Sequence, residues 1–193
     1  MTNLKSIVER LVYTMAEVVN RPPRILIYHA GQCDPKKCTG LRLERMEKAK
    51  ILNHIRQIPR GSVVLNPIAE VAFSVADVDF VLRRGIVALD CSWRKAESIF
   101  HEARQGIQRA LPYLLAANPV NTYKPIKLST AEALAAALYI VGMEGRAKDL
   151  LSVFKWGSNF ITLNKEWLDV YAKCNTSSEV VEVQSEIMEA HQK

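Results

Sequence analysis

The sequence predicts an α/β protein, with a parallel sheet in its amino-terminal part and helices alone in its carboxy-terminal part. Two observations predict it. Short, continuously apolar runs alternate with stretches of helical spacing as far as Pro119, and strands that are apolar along their whole length belong to parallel sheets covered on both faces. Beyond Pro125 the helical spacing continues, but no convincing strand interrupts it. At 193 residues the chain can build one large domain or two small ones around a real core.

The first element is a helix, since Leu4, Ile7, Val8, Leu11, Val12, Met15, Val18 and Val19 recur at helical spacing. It stops at Arg21-Pro22-Pro23, because proline cannot continue a helix and restrains its predecessor. Residues 1–22 thus form a helical extension. Arg24 to His29 reads as a buried strand. Cys38-Thr39-Gly40 leads into a second helical stretch, Leu41 to Ile58. Further strands are Ser62 to Pro67, after the turn Pro59-Arg60-Gly61, and Gly85 to Cys91. Between them, Val71 to Leu82 reads as a short strand or turn and then a helix from Ser74. A helix from Ser92 or Trp93 to Ala110 carries Ala96, Ile99, Phe100, Ala103 and Ile107 on one face, and Tyr113 to Pro119 reads as one more buried strand. The α/β part therefore covers residues 23–120 and the helical part 121–193. In the latter, Ser129-Thr130-Ala131-Glu132 is a capping box that opens a helix to Gly142. Helices near 145–155, 163–172 and 178–190 complete the chain.

The formal charge is +6. Between Arg21 and Arg60 there are ten Lys or Arg side chains against Asp34, Glu44 and Glu47, whereas the chain from Glu179 onward is acidic. That polarity suits a one-sided surface for an anionic partner such as a phosphate backbone. No apolar run is long enough to cross a bilayer, and no secretory leader is evident, so no membrane partner and a cytoplasmic location are expected. Four scattered cysteines fit a reducing compartment.

Several chemistries are excluded by their missing signatures. There is no phosphate loop and no G-x-G-x-x-G after a strand. Cys33 and Cys38 lack a second pair and the four histidines show no ligand spacing, so no metal site is expected. Strand ends remain, where parallel α/β sheets bind ligands. They read His29 to Asp34, Leu65-Asn66-Pro67, Leu89 to Trp93 and Ala117-Asn118-Pro119. Asp90 stands out: a carboxylate closing a buried strand can act as a base or orient a substrate, or simply cap the following helix. Trp93 can stack on a base or fill the core.

Asp34-Pro35-Lys36-Lys37-Cys38-Thr39-Gly40, Leu65-Asn66-Pro67, Asp90-Cys91-Ser92-Trp93, Leu111 to Asn121 and Leu128 to Leu134 with Val141-Gly142 occur in order over Arg24 to Phe160. As an ordered set they resemble the small-subunit ribosomal RNA aminocarboxypropyltransferase family. The resemblance implies a SPOUT-like parallel sheet with a deep trefoil knot, followed by an all-helical domain, in a monomer with S-adenosylmethionine between the two parts. It implies that Thr39 holds the carboxylate of the aminocarboxypropyl arm. Leu65, Pro67, Trp93 and Ala96 would enclose the adenine, and the Leu89 carbonyl would meet the ribose. Backbone groups from Leu111 to Leu114 and near Ile126, with Thr130 close by, would read the adenine edge.

The partner would be small-subunit rRNA or a pre-ribosomal particle. The implied nucleophile is N3 of a (N1-methyl)pseudouridine-type base, with 5′-methylthioadenosine as by-product; Asp90, as the carboxylate at the strand end, is expected to help remove or accommodate the N3 proton. Arg42, Arg45, Lys48, Arg60, Arg83 and Arg84 are the candidates for phosphate contacts. One departure bears on loop shape: the family pattern Asn-Tyr-Gly stands here as Asn121-Thr122-Tyr123-Lys124. A SPOUT-type methyltransferase and a non-catalytic rRNA-binding assembly factor remain open as alternatives.

Overall fold

The computed structural model describes residues 22–32, 34–91 and 96–191. The first predicted helix, from Leu4 to Val19, lies outside the described residues. Five short strands form one parallel sheet: β1 (Ile25–His29), β2 (Lys50–Leu52), β3 (Val63–Leu65), β4 (Ile86–Asp90) and β5 (Ile107–Arg109), in the spatial order β2-β1-β4-β3-β5. Helices α1 (Thr39–Arg45), α2 (Val78–Arg84) and α3 (Ala96–Glu102) alternate with them. Then follow α4 (Thr130–Ile140), α5 (Glu144–Leu151), α6 (Gly157–Tyr171) and α7 (Ser177–His191). Among the described residues no helix is long and apolar enough to cross a membrane.

Strand alternation explains the unbroken apolar runs. Ile25, Ile27, Val63, Leu65, Ile86 and Ala88 join the larger core. Their neighbours Leu26, Val64 and Val87 join a second cluster with Leu52, Ile58 and Ala103. The apolar stretches of the three inner strands β1, β3 and β4 are covered on both faces, so no position along them tolerates a polar side chain cheaply, while the edge strands β2 and β5 carry Lys50, Gln108 and Arg109. Helix α4 belongs to the larger core, with every residue from Leu134 to Ile140 buried. A helix buried all round is a central one, and Ala135, Ala136 and Ala137 let its neighbours approach closely. Ser129 caps it as expected: its hydroxyl accepts from Glu132 N, and the Glu132 carboxylate accepts from Ser129 N at 2.7 Å. The same apolar cluster runs from Ile25 in β1 to Val180 in α7.

Three elements differ from expectation. The stretch Leu41 to Ile58 is not one helix: α1 ends at Arg45, Glu47 takes φ 56°, and the chain enters β2 beside β1. A short apolar run fits either period, and here pairing with β1 decides. The helix expected as far as Ala110 ends at Glu102, and Ile107–Arg109 becomes the edge strand β5 beside β3. Gly106 allows that approach, since a Cβ there would strike the Ser62 carbonyl and Val64. Arg109 then anchors the edge by donating to both oxygens of buried Asp77, at 2.9 and 3.1 Å.

The third difference matters most for the site. Tyr113 to Pro119 is apolar like a strand but joins no sheet; its one bridge, Leu115 with Pro125, is local. The backbone of the loop at 123–126 pairs with Leu114 and Ala116, and side chains of the helices satisfy much of the rest. Gln184 accepts from Tyr113 N at 2.9 Å. Asn164, 1% exposed, accepts from Leu115 N at 2.8 Å and donates to Leu115 O at 2.9 Å. Glu132 accepts from Ala117 N and Asn118 N. A buried backbone must be paired, but the partner need not be another strand.

Candidate functional site

Strand order places a crevice at the middle of the sheet. From β1 the chain departs through α1 to β2 on one side; from neighbouring β4 it departs through α3 to β5 on the other. Adjacent parallel strands whose connections diverge leave a ligand crevice beyond their carboxyl ends. A cavity of about 280 Å³ lies there, lined by the residues that end β3 and β4, by the start of α1 and by the loops around 111–130.

The structure brings most of the sequence-predicted cofactor residues to this cavity. Thr39, Leu65, Pro67, Leu89, Asp90, Leu111, Ile126 and Thr130 line it. Leu114 does not: it is wholly buried beneath, and its carbonyl accepts from Ile126 N at 2.9 Å. Trp93 lies outside the described residues, and Ala96 is described only as the first residue of α3. Leu65, Pro67 and Leu111 offer apolar wall, while Thr39, Asn66, Asp90, Ser129 and Thr130 offer polar groups. Apolar walls with a few fixed polar groups fit a nucleoside carrying an amino-acid arm.

Asp90 ends β4 directly opposite His29 of β1. Its Oδ2 accepts from the Cys38 thiol at 3.1 Å, and Cys38 Sγ also accepts from Leu41 N, capping α1. Gly31 N donates to His29 Nδ1 at 3.3 Å. Donor atoms of His29, Cys38 and Asp90 lie within 4.8 Å of one another. Sequence spacing did not show this trio, because strand register assembles it. Gly40 completes the arrangement: a Cβ there would collide with the Asp90 carboxylate. Gly40→Ala is accordingly expected to displace Asp90 and to cost roughly 1–3 kcal/mol of stability by overpacking, read as a lowered Tm together with a lowered turnover.

Cys91, next along, also lines the cavity. Burial first, and then the Asp90 charge, push its thiol up to about 11. It stays protonated at neutral pH and is no nucleophile. Alkylation of Cys91 by iodoacetamide at pH 8 is expected to run on the order of 100-fold slower in the folded protein than after denaturation, as followed by peptide mass mapping.

The far wall hangs on Glu132, which is fully buried. Its carboxylate accepts from Ala117 N (2.6 Å), Asn118 N (2.9 Å), Asn118 Nδ2 (2.6 Å) and Ser129 N (2.7 Å). Asn118 Oδ1 in turn accepts from Val120 N and Asn121 N, and its carbonyl accepts from Thr122 Oγ1. The loop that departs from Asn-Tyr-Gly is thus tied to the core. It still carries strain: Tyr123 holds φ 63° and Ile126 φ 64°, conformations costing about 1–2 kcal/mol each for side chains of this kind.

The predicted phosphate-binding residues are scattered. Arg42 is exposed on α1, with its guanidinium 5.3 Å from the Phe154 ring centre. Arg45 donates to Leu41 O, and Lys48 pairs with Asp149 at 2.6 Å. Arg60 precedes β3, and Arg83 and Arg84 end α2 before β4. These last three sit at the amino edge of the sheet, about 15 Å from the cavity by strand length. Lys37, which sequence reasoning left aside, lines the cavity itself.

The comparisons with known proteins point to one family, with a single short match elsewhere. A family model described as "Ribosome biogenesis protein, C-terminal" matches residues 63–188. A second, "Possible Fer4-like domain in RNase L inhibitor", matches residues 23–57. That segment holds only Cys33 and Cys38, and Cys38 is engaged by Asp90 and Leu41. It does not fit a cluster that needs four thiolates. The 16S rRNA aminocarboxypropyltransferase of Methanothermobacter thermautotrophicus is 53% identical over 86% of this chain and 98% of its own. That of Methanosarcina acetivorans is 49% identical over 86% and 95%. The solved structure of the SAM-dependent rRNA:acp-transferase Tsr3 from Vulcanisaeta distributa superposes with a TM-score of 0.78 at 36% identity, covering 88% of this chain and 98% of that one. The chain belongs to the 16S rRNA aminocarboxypropyltransferase family of ribosome biogenesis proteins.

Proposed function

We propose that this protein transfers the 3-amino-3-carboxypropyl group of S-adenosylmethionine to N3 of a (N1-methyl)pseudouridine-type nucleotide in small-subunit rRNA. The observation that carries the reading is the convergence of Thr39, Leu65, Pro67, Leu89 and Asp90 on one cavity at the sheet's switch point, in a chain of this family. S-adenosylmethionine supplies a sulfonium whose three attached carbons are all electrophilic. The protein must therefore choose among them by position, and orientation of this kind is worth roughly 7–11 kcal/mol in well-aligned systems.

In this reading Thr39, opening α1 at the cavity, holds the carboxylate of the amino-acid arm. Leu65, Pro67 and Leu111 form the apolar slot for the adenine, with Trp93 and Ala96 completing it, and the Leu89 carbonyl meets the ribose. Groups near Ile126 and Thr130 read the adenine edge. N3 attacks the arm's γ-carbon, the carbon–sulfur bond breaks with its electron pair going to sulfur, and 5′-methylthioadenosine leaves. Asp90 accepts the N3 proton, with Cys38 and His29 fixing its carboxylate. The target base must come unstacked to reach this depth. Arg42 and Arg45 serve phosphates near the target, and Lys48 is partly spent on Asp149. Arg60, Arg83 and Arg84 serve a more distant segment. The reading includes a trefoil knot in residues 23–120, a helical cover formed by 121–193, and a cytoplasmic monomer.

The test uses S-adenosylmethionine labelled in its carboxyl carbon and small-subunit rRNA lacking the modification. Label entering RNA with release of methylthioadenosine supports the proposal. Transfer of a methyl label alone makes the protein a methyltransferase, and tight cofactor binding without any turnover makes it an assembly factor.

A further inference from the structure

The rim of the cavity carries side chains, Tyr123, Lys124 and Lys127, that the transfer reaction itself leaves unused. The loop 119–127 presents Val120, Tyr123 and Ile126 at 74%, 68% and 53% exposure. Val120, Asn121 and Ile126 also line the cavity. Large apolar side chains normally collapse onto a core, yet this loop is held away from it. Tyr123 N donates to Ala116 O at 2.7 Å, Ala116 N to Lys124 O at 3.1 Å, and Ile126 N to Leu114 O at 2.9 Å. These bonds fix Tyr123 and Ile126 in the left-handed region, where neither residue type settles by preference. Strain over-determined by surrounding bonds, at the mouth of a cavity, is a mark of function.

The chemistry of the loop is one-sided. Residues 119–127 contain Lys124 and Lys127 and no carboxylate. Both lysines are exposed, and neither is paired with an acid among the described residues. The Tyr123 ring and hydroxyl likewise have no partner among the described residues. An aromatic face flanked by free ammonium groups suits single-stranded nucleic acid, where a base stacks and the adjoining phosphates find cations.

Resting on the rRNA reading above, we infer that Tyr123, Lys124 and Lys127 form a ledge gripping a nucleotide that flanks the target. Tyr123 stacks on its unstacked base, and the two lysines take the neighbouring phosphates. The strained backbone keeps the ring presented outward, so little order must be gained when RNA binds. The ledge fixes which loop nucleotide can enter the cavity.

Three variants of the full chain test this against a small-subunit rRNA transcript. Tyr123→Gly removes the ring and also relieves the left-handed strain, so Tm should rise while the RNA Kd weakens roughly 5- to 100-fold. S-adenosylmethionine affinity should not change. Tyr123→Phe, which keeps a stacking face, should bind RNA within about threefold of wild type. The double variant Lys124→Ala with Lys127→Ala should flatten the slope of log K against log salt by about 1.4. Wild-type RNA affinity in Tyr123→Gly would overturn the ledge, and so would equal losses of cofactor and RNA binding. Failure of wild-type protein to transfer the aminocarboxypropyl group bears on the reaction instead, and is read separately from these affinities.

Discussion

Exchanging Asp90 for Asn is expected to lower kcat by about 10²–10⁴-fold at saturating S-adenosylmethionine, with cofactor affinity close to wild type. The substitution preserves shape. The Asp90 carboxylate packs against Gly40, where no side chain would fit, and an amide of the same shape fills that space beside Cys38. What it cannot do is accept a proton from N3. The loss should therefore fall on the chemical step, not on binding, and single-turnover measurement with saturating rRNA separates the two. An unchanged kcat would remove Asp90 from the proton's path and leave it as a helix-capping group. His29 offers a second readout: His29→Ala keeps the carboxylate but frees it from its neighbour across the register, so its effect should be smaller than that of Asp90→Asn.

Glu132→Ala is expected to be the most destabilising single change in the molecule. It strips four donors of their acceptor at once, in a site with no exposure to water. A buried donor left unsatisfied costs roughly 1–3 kcal/mol. Partial relaxation holds the sum to about 4–6 kcal/mol, a large share of a domain's whole stability. For a chain of this size that corresponds to a Tm lower by roughly 10–20 °C. Glu132→Gln separates fold from site. It keeps one oxygen and turns an NH2 toward N–H groups, so about half the loss is expected, in a protein still folded. Its S-adenosylmethionine affinity should fall as well, because Asn118 and the loop to Ile126 lose their anchor. Thermal denaturation and calorimetric titration on the same samples check both. Normal cofactor binding in a destabilised Glu132→Gln would show that the loop holds its shape without this carboxylate.

Much of this architecture was legible beforehand, and the exceptions have a common cause. The runs Ile25 to His29, Val63 to Leu65 and Ile86 to Asp90 are strands because their apolar character is unbroken, and the Ser129–Glu132 box announces α4. Local signals failed where the deciding partner is remote. Ile51 and Leu52 are strand only because β1 lies beside them, and Ile107 because β3 does. Tyr113 to Pro119 looks like a strand for a sound reason, since its backbone is buried. The groups that pair with it include the side chains of Asn164, Gln184 and Glu132, and no periodicity points to them. The cavity residues came from ordered motifs at strand ends, while the meeting of His29, Cys38 and Asp90 depends on register and could not be counted along the chain.

The side-chain pairing of residues 113–118 has a consequence for the order in which the protein is made. The sheet is complete once Arg109 has been synthesised, but the segment that backs its cavity waits for Glu132, Asn164 and Gln184. Chains fold from the amino terminus as they emerge, so a nascent chain holds finished strands before it holds a usable pocket. Ligand affinity is therefore expected only in the last third of translation. A member of a family that modifies ribosomal RNA thus completes its pocket only when its own ribosome has nearly finished with it.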